Sequence, residues 1–285
     1  MAETDFGSLT TQQKKVWSAL AIQQGRDTSF FLGRKGFLGK GVNDATTPIH
    51  YINELTETER GAKCVMPLVL DLQGDGVAGD NTLEGNEESI VIDDLEIQID
   101  QHRHAVKSKG KMSEQKTVLR FRVQAKDKLA FWYSARTDEM MFLTISGVSY
   151  TKKINGAARD AGSQLPSLAF AADVTAPSTN RKIYAGTATA TNNLTTSDKM
   201  SWNLLVRVKA MAVDKRLKPI RIDGGEHYVI LMSAFQARDL KLDNDYKTAL
   251  SQGSNKGNSN ELFTGAFQNV DGLILYEHNR VTNTR

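Results

Sequence analysis

The sequence predicts an α+β chain built in series: an N-terminal arm, a long β-hairpin, one very long helix and a closing α/β unit. Three observations predict it. Residues 113–146 run without Pro or Gly between Gly110 and Gly147. Two strand-like segments, 63–71 and 95–100, enclose a stretch rich in Gly, Asp and Asn at 73–89. From about residue 190 onward, apolar β-type runs alternate with short amphipathic helices.

Composition sets the frame. The chain has 285 residues, 40% hydrophobic and 24% charged, which is globular and enough for one large or two modest domains. A net charge of +3 argues against a surface built throughout for nucleic acid. The single cysteine, Cys64, excludes an intramolecular disulfide and reads as a small strand hydrophobe. Glu3 and Asp5 stand where a secretory signal would be basic and apolar. No apolar run approaches the roughly 18 residues of a membrane span. A soluble protein made in a cytoplasm, with no membrane partner, is therefore expected.

Residues 1–60 read as an arm with a lead-in strand. Thr10-Thr11-Gln12-Gln13 offers a capping box for a helix to about Gln24, stopped by Gly25. In residues 29–41 a short unit occurs twice, as Phe31-Leu32-Gly33-Arg34 and Phe37-Leu38-Gly39-Lys40. It is not a phosphate-binding loop: Arg34 replaces the first glycine and Gly41 follows Lys40 where Ser or Thr is needed. A flexible basic segment that packs on another chain is the expectation. Residues 49–55 alternate as a strand, and Gly61 turns the chain.

Residues 61–110 form the hairpin, with an acidic tip at 73–89. A connection this long is either disordered or a docking element. Charge reverses beside it. From Asp71 to Asp100 there are ten acidic residues and no Lys or Arg. From Arg103 to Lys128 there are nine basic residues against two acidic. A solvated acidic loop beside a basic helix start would give this pattern. So would docking of one copy's loop on the next copy's helix, which fixes register more than affinity.

The long helix, 113–146, lies in a segment of 111–190. Ser113 can cap it and Gly147 suits the left-handed position after it. Roughly 1.5 Å per residue makes it a beam of about 50 Å. Val118, Phe121, Ala125, Leu129, Trp132, Met140 and Leu143 form one apolar stripe, with Leu119, Val123, Ala130, Tyr133 and Met141 beside it. The third face starts polar at Arg120, Gln124 and Asp127 and ends apolar at Phe131, Ala135 and Phe142, so the helix should start exposed and end buried nearly all round.

Residues 191–285 read as the α/β unit. Thr196-Ser197-Asp198 should start a helix over 199–216, stopped by Pro219. Residues 220–223 and 227–232 are strands, the second apolar on both faces and so central. Short helices at 233–240 and 244–252, a polar loop at 251–260 and a strand at 270–278 complete it.

Catalytic patterns are missing from the sequence. There is no Gly-x-Ser-x-Gly, no His-Glu-x-x-His, and no apolar setting that would raise the carboxyls of Glu87 or Glu88. His102 and His104 share a strand face with Glu96 and Asp100, where cross-strand salt bridging is expected over metal ligation. Residues 71–82 imitate a calcium loop at Asp71, Asp75 and Gly76, but Gln73 and Thr82 stand where ligands are needed. No catalytic residue, metal or cofactor is expected.

Five blocks carry a family resemblance: LDLQGDGVAGDNTLEGNEE, IDQHRHAVKSKGKMSEQK, FLTISGVSYTKKINGA, EHYVILMSAFQARDL and GLILYEHNRV. Together with the order of parts, they resemble the N4-like family of tailed-bacteriophage major capsid proteins, of the HK-ninety-seven-like fold. The resemblance implies a shell protein, not an enzyme, that forms hexamers and pentamers in an icosahedral head around packaged double-stranded DNA. It is then a virion component assembled in the host cytoplasm, with portal and scaffold or decoration proteins as partners. It implies that 1–60 are the arm and lead-in strand and 61–110 the extended loop. The peripheral domain would be 111–190, with 113–146 as its spine helix, and the axial domain 191–285. Members continue past the strand at 270–278, so the closing strand is expected to be missing here or supplied another way.

The charge reversal then suggests inter-subunit contacts. Asp75, Asp80, Glu84, Glu87 and Glu88 would meet Arg103, Lys107, Lys109 or Lys116 of an adjacent copy. Lys14, Lys15, Arg34, Lys35 and Lys40 are candidates for DNA-facing or arm contacts on charge. Two other readings belong to other classes: an encapsulin-like cellular shell of the same fold, told apart by its cargo, and a calcium-binding structural module, told apart by a calcium-dependent melting shift. A hydrolase would need a pocket with a perturbed titratable group.

Overall fold

The structure is a computed structural model that describes residues 11–33, 37–38, 46–49, 63–107, 121–222, 224–253 and 269–282. The order is α1 (Thr11–Thr28), β1 (Lys63–Val69), β2 (Ile92–Gln98), α2 (Phe121–Ser146), α3 (Trp202–Asp214), β3 (Ile220–Ile222), β4 (Gly225–Met232), α4 (Ala234–Leu242), α5 (Asn244–Gly253), β5 (Asn269–Val270) and β6 (Leu273–Glu277). Single 3-10 turns punctuate the segment between α2 and α3. Among the described residues no helix is long and apolar enough to cross a membrane. The lead-in strand beyond Ile49, the turn at Gly61, the start of the long helix over 113–120 and most of the polar loop at 251–260 lie outside the described residues.

α2 is the beam. Its end is a Schellman motif: Val148 N donates to Leu143 O at 2.9 Å and Gly147 N to Thr144 O at 3.0 Å, with Gly147 at φ 63°. Val148 packs on the cluster of Leu143, Tyr150, Leu165 and Leu168, the apolar contact that accompanies such a cap. A Cβ at Gly147 would also lie 2.5 Å from Thr175 O and 2.6 Å from Pro177 Cδ. Gly147→Ala is expected to cost about 1–2 kcal/mol from the left-handed backbone alone, and more from that backbone contact. Urea denaturation checks it.

The helix end is buried on two sides and not all round. Phe142 enters a cluster with Phe31 and Phe37, and Leu143 enters the cluster under Tyr150. Between these sides Ile145 stays exposed, and Phe131 is 66% exposed where burial was expected. Apolar periodicity finds a face, but not whether this chain alone covers it.

The arm differs more. α1 does not stop at Gly25 but runs to Thr28 and packs along α2. A Cβ at Gly25 would sit 2.8 Å from Tyr133 Cδ1 and 2.9 Å from Ala130 O. This glycine marks a close helix crossing, not a helix end. Gln24 also donates to Asp127 at 3.2 Å. The expectation that 29–41 packs on another chain is corrected for its described part. Phe31 and Phe37, the first residues of the two repeated units, are both buried in this chain's own cluster with Phe142.

The four-stranded sheet has the order β3-β4-β6-β5, with β4 and β6 parallel and the outer pairs antiparallel. β4 is central, as its apolar faces predict. Val229 and Leu231 face the phenylalanine cluster. Tyr228, Ile230 and Met232 face a second core with Leu205, Leu240, Tyr246, Leu273 and Leu275. α4 and α5 carry the chain from β4 toward the other parallel strand.

Two boundaries move. α3 starts at Trp202 and not at Lys199, because Ser201 is its cap and Asp243 Oδ2 takes the Trp202 N–H at 2.7 Å. Asp198 instead accepts from Thr195 N and Oγ1, each at 2.8 Å. The strand expected over 270–278 is a tight hairpin, β5 and β6, turning at Asp271 and Gly272 with φ of 52° and 75°. Two positive φ values are what a type I′ turn requires, and Asp-Gly is its usual sequence.

Candidate functional site

The sequence offered no catalytic machinery, so the candidate site is a surface. β1 and β2 pair antiparallel from Lys63↔Gln98 to Val69↔Ile92. They form a two-stranded sheet of their own. Direct cross-strand partners share a face, so Val65, Pro67, Val69 and Ile92 line one side. Val65, Val69 and Ile92 are all more than half exposed, as are Leu70, Leu72, Leu83, Ile90 and Val91 in the tip. An isolated two-stranded ribbon is marginal in water, and this one leaves apolar groups on the outside. The chain's accessible surface is 21330 Å², against about 12,000 Å² for a compact chain of this mass.

The tip is held by its own backbone bonds. Glu88 accepts from Gln73 N and Gly74 N, both at 2.7 Å. Those bonds, Gln73 first, hold its carboxyl below the usual carboxylate range. Glu87 accepts from Gly85 N at 2.8 Å, and Asn86 N closes a turn on Leu83 O at 3.0 Å. Two of the five acidic residues named from the sequence therefore already serve the tip itself. Asp75, Asp80 and Glu84 are exposed and make no hydrogen bond or ion pair among the described residues. The same holds for Arg103 and Lys107 on the segment that follows β2. Lys109, Lys116, Arg34, Lys35 and Lys40 lie outside the described residues. Lys14 and Lys15 fall on α1, where Lys15 is exposed.

The base of the ribbon is anchored to α2. His102 and His104 do not reach across to Glu96 and Asp100 as expected. Both rings pack on Trp132, at centroid distances of 5.0 and 4.4 Å. Asp100 accepts from Ala169 N at 2.8 Å and from Gln101 N at 2.6 Å, which holds its carboxyl below the usual range. Burial lowers the His102 pKa, helped by Arg136 and His104. Among the described residues no three His, Cys, Asp or Glu side chains are grouped so as to hold a metal ion.

Beside His102 lies an open groove of about 930 Å³. Trp132 and Phe235 give it apolar surface, and at its rim Lys153 pairs with Asp160 at 3.3 Å. At its wall Glu139 is paired with Arg136 and with Arg159, the latter at 2.5 Å. Arg159 also donates from Nε to Tyr150 O at 2.8 Å, which ties this wall to the turn after α2.

Sequence reasoning missed a second junction. Asp138, 3% exposed, accepts from Ser29 Oγ at 2.6 Å and from Phe30 N at 3.1 Å. It lies 3.8 Å from Arg280. It ties the N-terminal segment and the residues after β6 to the beam. The available signal was an acidic residue inside the most apolar part of a helix.

An apolar ribbon with a charged tip, set beside a long beam, presents the surfaces of a subunit made to meet other chains. Comparison places it. The sequence matches the phage capsid protein family over residues 6–284. It is 43% identical over 290 residues to the major capsid protein of Pseudomonas phage KPP25, covering 99% of this chain and 75% of that one. The fold is similar to that in the capsid of Ralstonia phage GP4, with a TM-score of 0.69 and 25% identity, covering 99% of this chain and 74% of that one. It is also similar to that in the capsid asymmetric unit of cyanophage Pam1, with a TM-score of 0.62 and 16% identity over 98% and 73% of the two chains.

The chain belongs to the phage capsid protein family. It is a bacteriophage major capsid protein, a structural and non-enzymatic component of the virion shell that associates with copies of itself.

Proposed function

We propose that this chain has the HK-ninety-seven-like fold of the N4-like capsid family and builds an icosahedral head from hexamers and pentamers around packaged double-stranded DNA. Residues 1–60 act as the arm and lead-in strand, and 61–110 as the extended loop. Residues 111–190 are the peripheral domain and 191–285 the axial domain at the capsomer centre. Lys14, Lys15, Arg34, Lys35 and Lys40 supply non-specific contacts to DNA or between arms. Portal and scaffold or decoration proteins complete the head.

The observation that carries this reading is the ribbon. It exposes apolar residues on a two-stranded sheet, which a neighbouring copy would bury. The tip then lies over the basic segment that follows β2 in the next copy. Asp75, Asp80 and Glu84 meet Arg103 and Lys107, with Lys109 and Lys116 continuing that charge. Glu87 and Glu88 set the shape of the tip. The groove beside His102 offers a seat for an apolar side chain between charged rims.

Each exposed charge pair is worth about 0.2–1 kcal/mol, so three together shift the assembly threshold by roughly tenfold. Changing Asp75, Asp80 and Glu84 together to Lys is expected to raise by that factor the subunit concentration needed for assembly at about 0.1 M salt, where surface charge is still felt. Arg103→Glu with Lys107→Glu should recover part of the loss. Normal assembly of the triple variant at moderate salt would refute the pairing.

A further inference from the structure

Residues 278–282, which follow β6, cross the end of α2 as a strap. Its first residue is an imidazole held in an apolar slot. The His278 ring lies 4.9 Å from Phe142 at an interplanar angle of 22°, and 4.5 Å from Phe30. Its Nδ1 accepts from Arg280 N at 3.2 Å, so that nitrogen carries no proton. Beyond it, Arg280 donates to Ala135 O at 2.9 Å, and the Thr282 and Ser146 hydroxyls are hydrogen-bonded. The strap is also a partition. Asn279 and Val281 line the groove beside His102. Val281 also lines an apolar cavity of about 410 Å³ with Phe31, Phe142, Val229 and Leu231.

We propose that residues 278–282 are an acid-released strap: protonation of His278 removes the acceptor that folds Arg280 back on it, detaches the strap from α2, and joins the groove to the apolar cavity. A second proton on the ring must sit on Nδ1, where the Arg280 N–H already points. It also places a cation in a half-buried slot next to the Arg280 guanidinium. The opposing charge is Asp138 on α2, but its oxygens already accept from Ser29 and Phe30. The N-terminal segment offers His278 the Phe30 ring, and β4 accepts its backbone N–H at Met232 O.

Burial lowers the His278 pKa, Asp138 opposes the shift and Arg280 adds to it. The closed strap therefore resists a proton that the open strap accepts. Above the ordinary imidazole value of about 6.5 neither form is charged and pH has no effect. Below it, opening gains up to roughly tenfold per pH unit until the closed form titrates as well. The device lies within one subunit and does not depend on the assembly reading.

Hydrogen exchange on the full chain, corrected for the intrinsic pH dependence of exchange and read from pH 7.5 to 5.0, tests it. Protection in peptides spanning 276–285 should fall by at least several-fold in the wild type and stay flat in His278→Gln. Peptides from α3 should hold throughout. Equal losses in wild type and variant, no loss in either, or the same loss in α3 would overturn the proposal. Should His278→Gln not fold, the imidazole can be titrated by NMR in the wild type. A midpoint clearly below about 6.5 supports the strap, and one at or above it refutes the strap.

Discussion

Asp138→Ala is expected to destabilise the subunit by about 3–5 kcal/mol, the usual cost of removing one partner from a buried, hydrogen-bonded charge. Three donors converge on this carboxylate, Ser29 Oγ and the Phe30 and Phe31 N–H groups, and the Arg280 guanidinium lies 3.8 Å away as an ion pair. Ser29 and Phe31 are themselves buried, so water does not readily replace the lost acceptor. Asp138→Asn keeps one acceptor oxygen and should cost about half as much. The loss should also be local, freeing residues 29–33 and 278–282 before the sheet. Urea denaturation gives the size, and proteolysis near residue 30 the location. A loss below about 1 kcal/mol would mean that the junction is held by its phenylalanines alone.

Phe142→Ala is expected to cost a similar amount, about 3–5 kcal/mol, because it empties a full ring from a packed core. Phe142 is 2% exposed. Its ring lies 4.8 Å from Phe31, 5.9 Å from Phe30 and 4.9 Å from His278. It therefore joins three parts of the chain that are distant in sequence. The control is Phe131, on the same helix and treated by the sequence as equally apolar. In the isolated subunit Phe131→Ala should change stability by under about 0.5 kcal/mol, since its ring is already in water. Equal costs for the two would contradict the core described here.

That contrast shows how far the sequence could be read. The beam, the ribbon and central β4 were legible, because each rests on local pattern: an unbroken helical run, alternation around a Gly-rich tip, and an apolar strand without polar faces. That the chain is a phage major capsid protein was legible from the five blocks. Most of what escaped depends on a partner elsewhere. Gly25 has the composition of a helix stop, yet its missing Cβ serves a crossing with Tyr133. The repeated Phe-Leu-Gly units looked like material for another chain, yet Phe31 and Phe37 pack in this one's own cluster with Phe142. Asp271-Gly272 was read through as strand although the pair itself is the hairpin signal. Among the candidate contacts, charge alone could not separate Glu88, which caps the tip backbone, from Asp75 and Glu84, which remain available.

The central claim is that this subunit closes into a shell through its exposed ribbon and charged tip. Electron microscopy combined with light scattering on the purified chain, over a salt series at fixed protein concentration, tests it most directly. Closed shells, or rings of five and six, should form at low and moderate salt and weaken as salt screens the tip contacts. A monomer of 31.5 kDa at every salt concentration would contradict the claim.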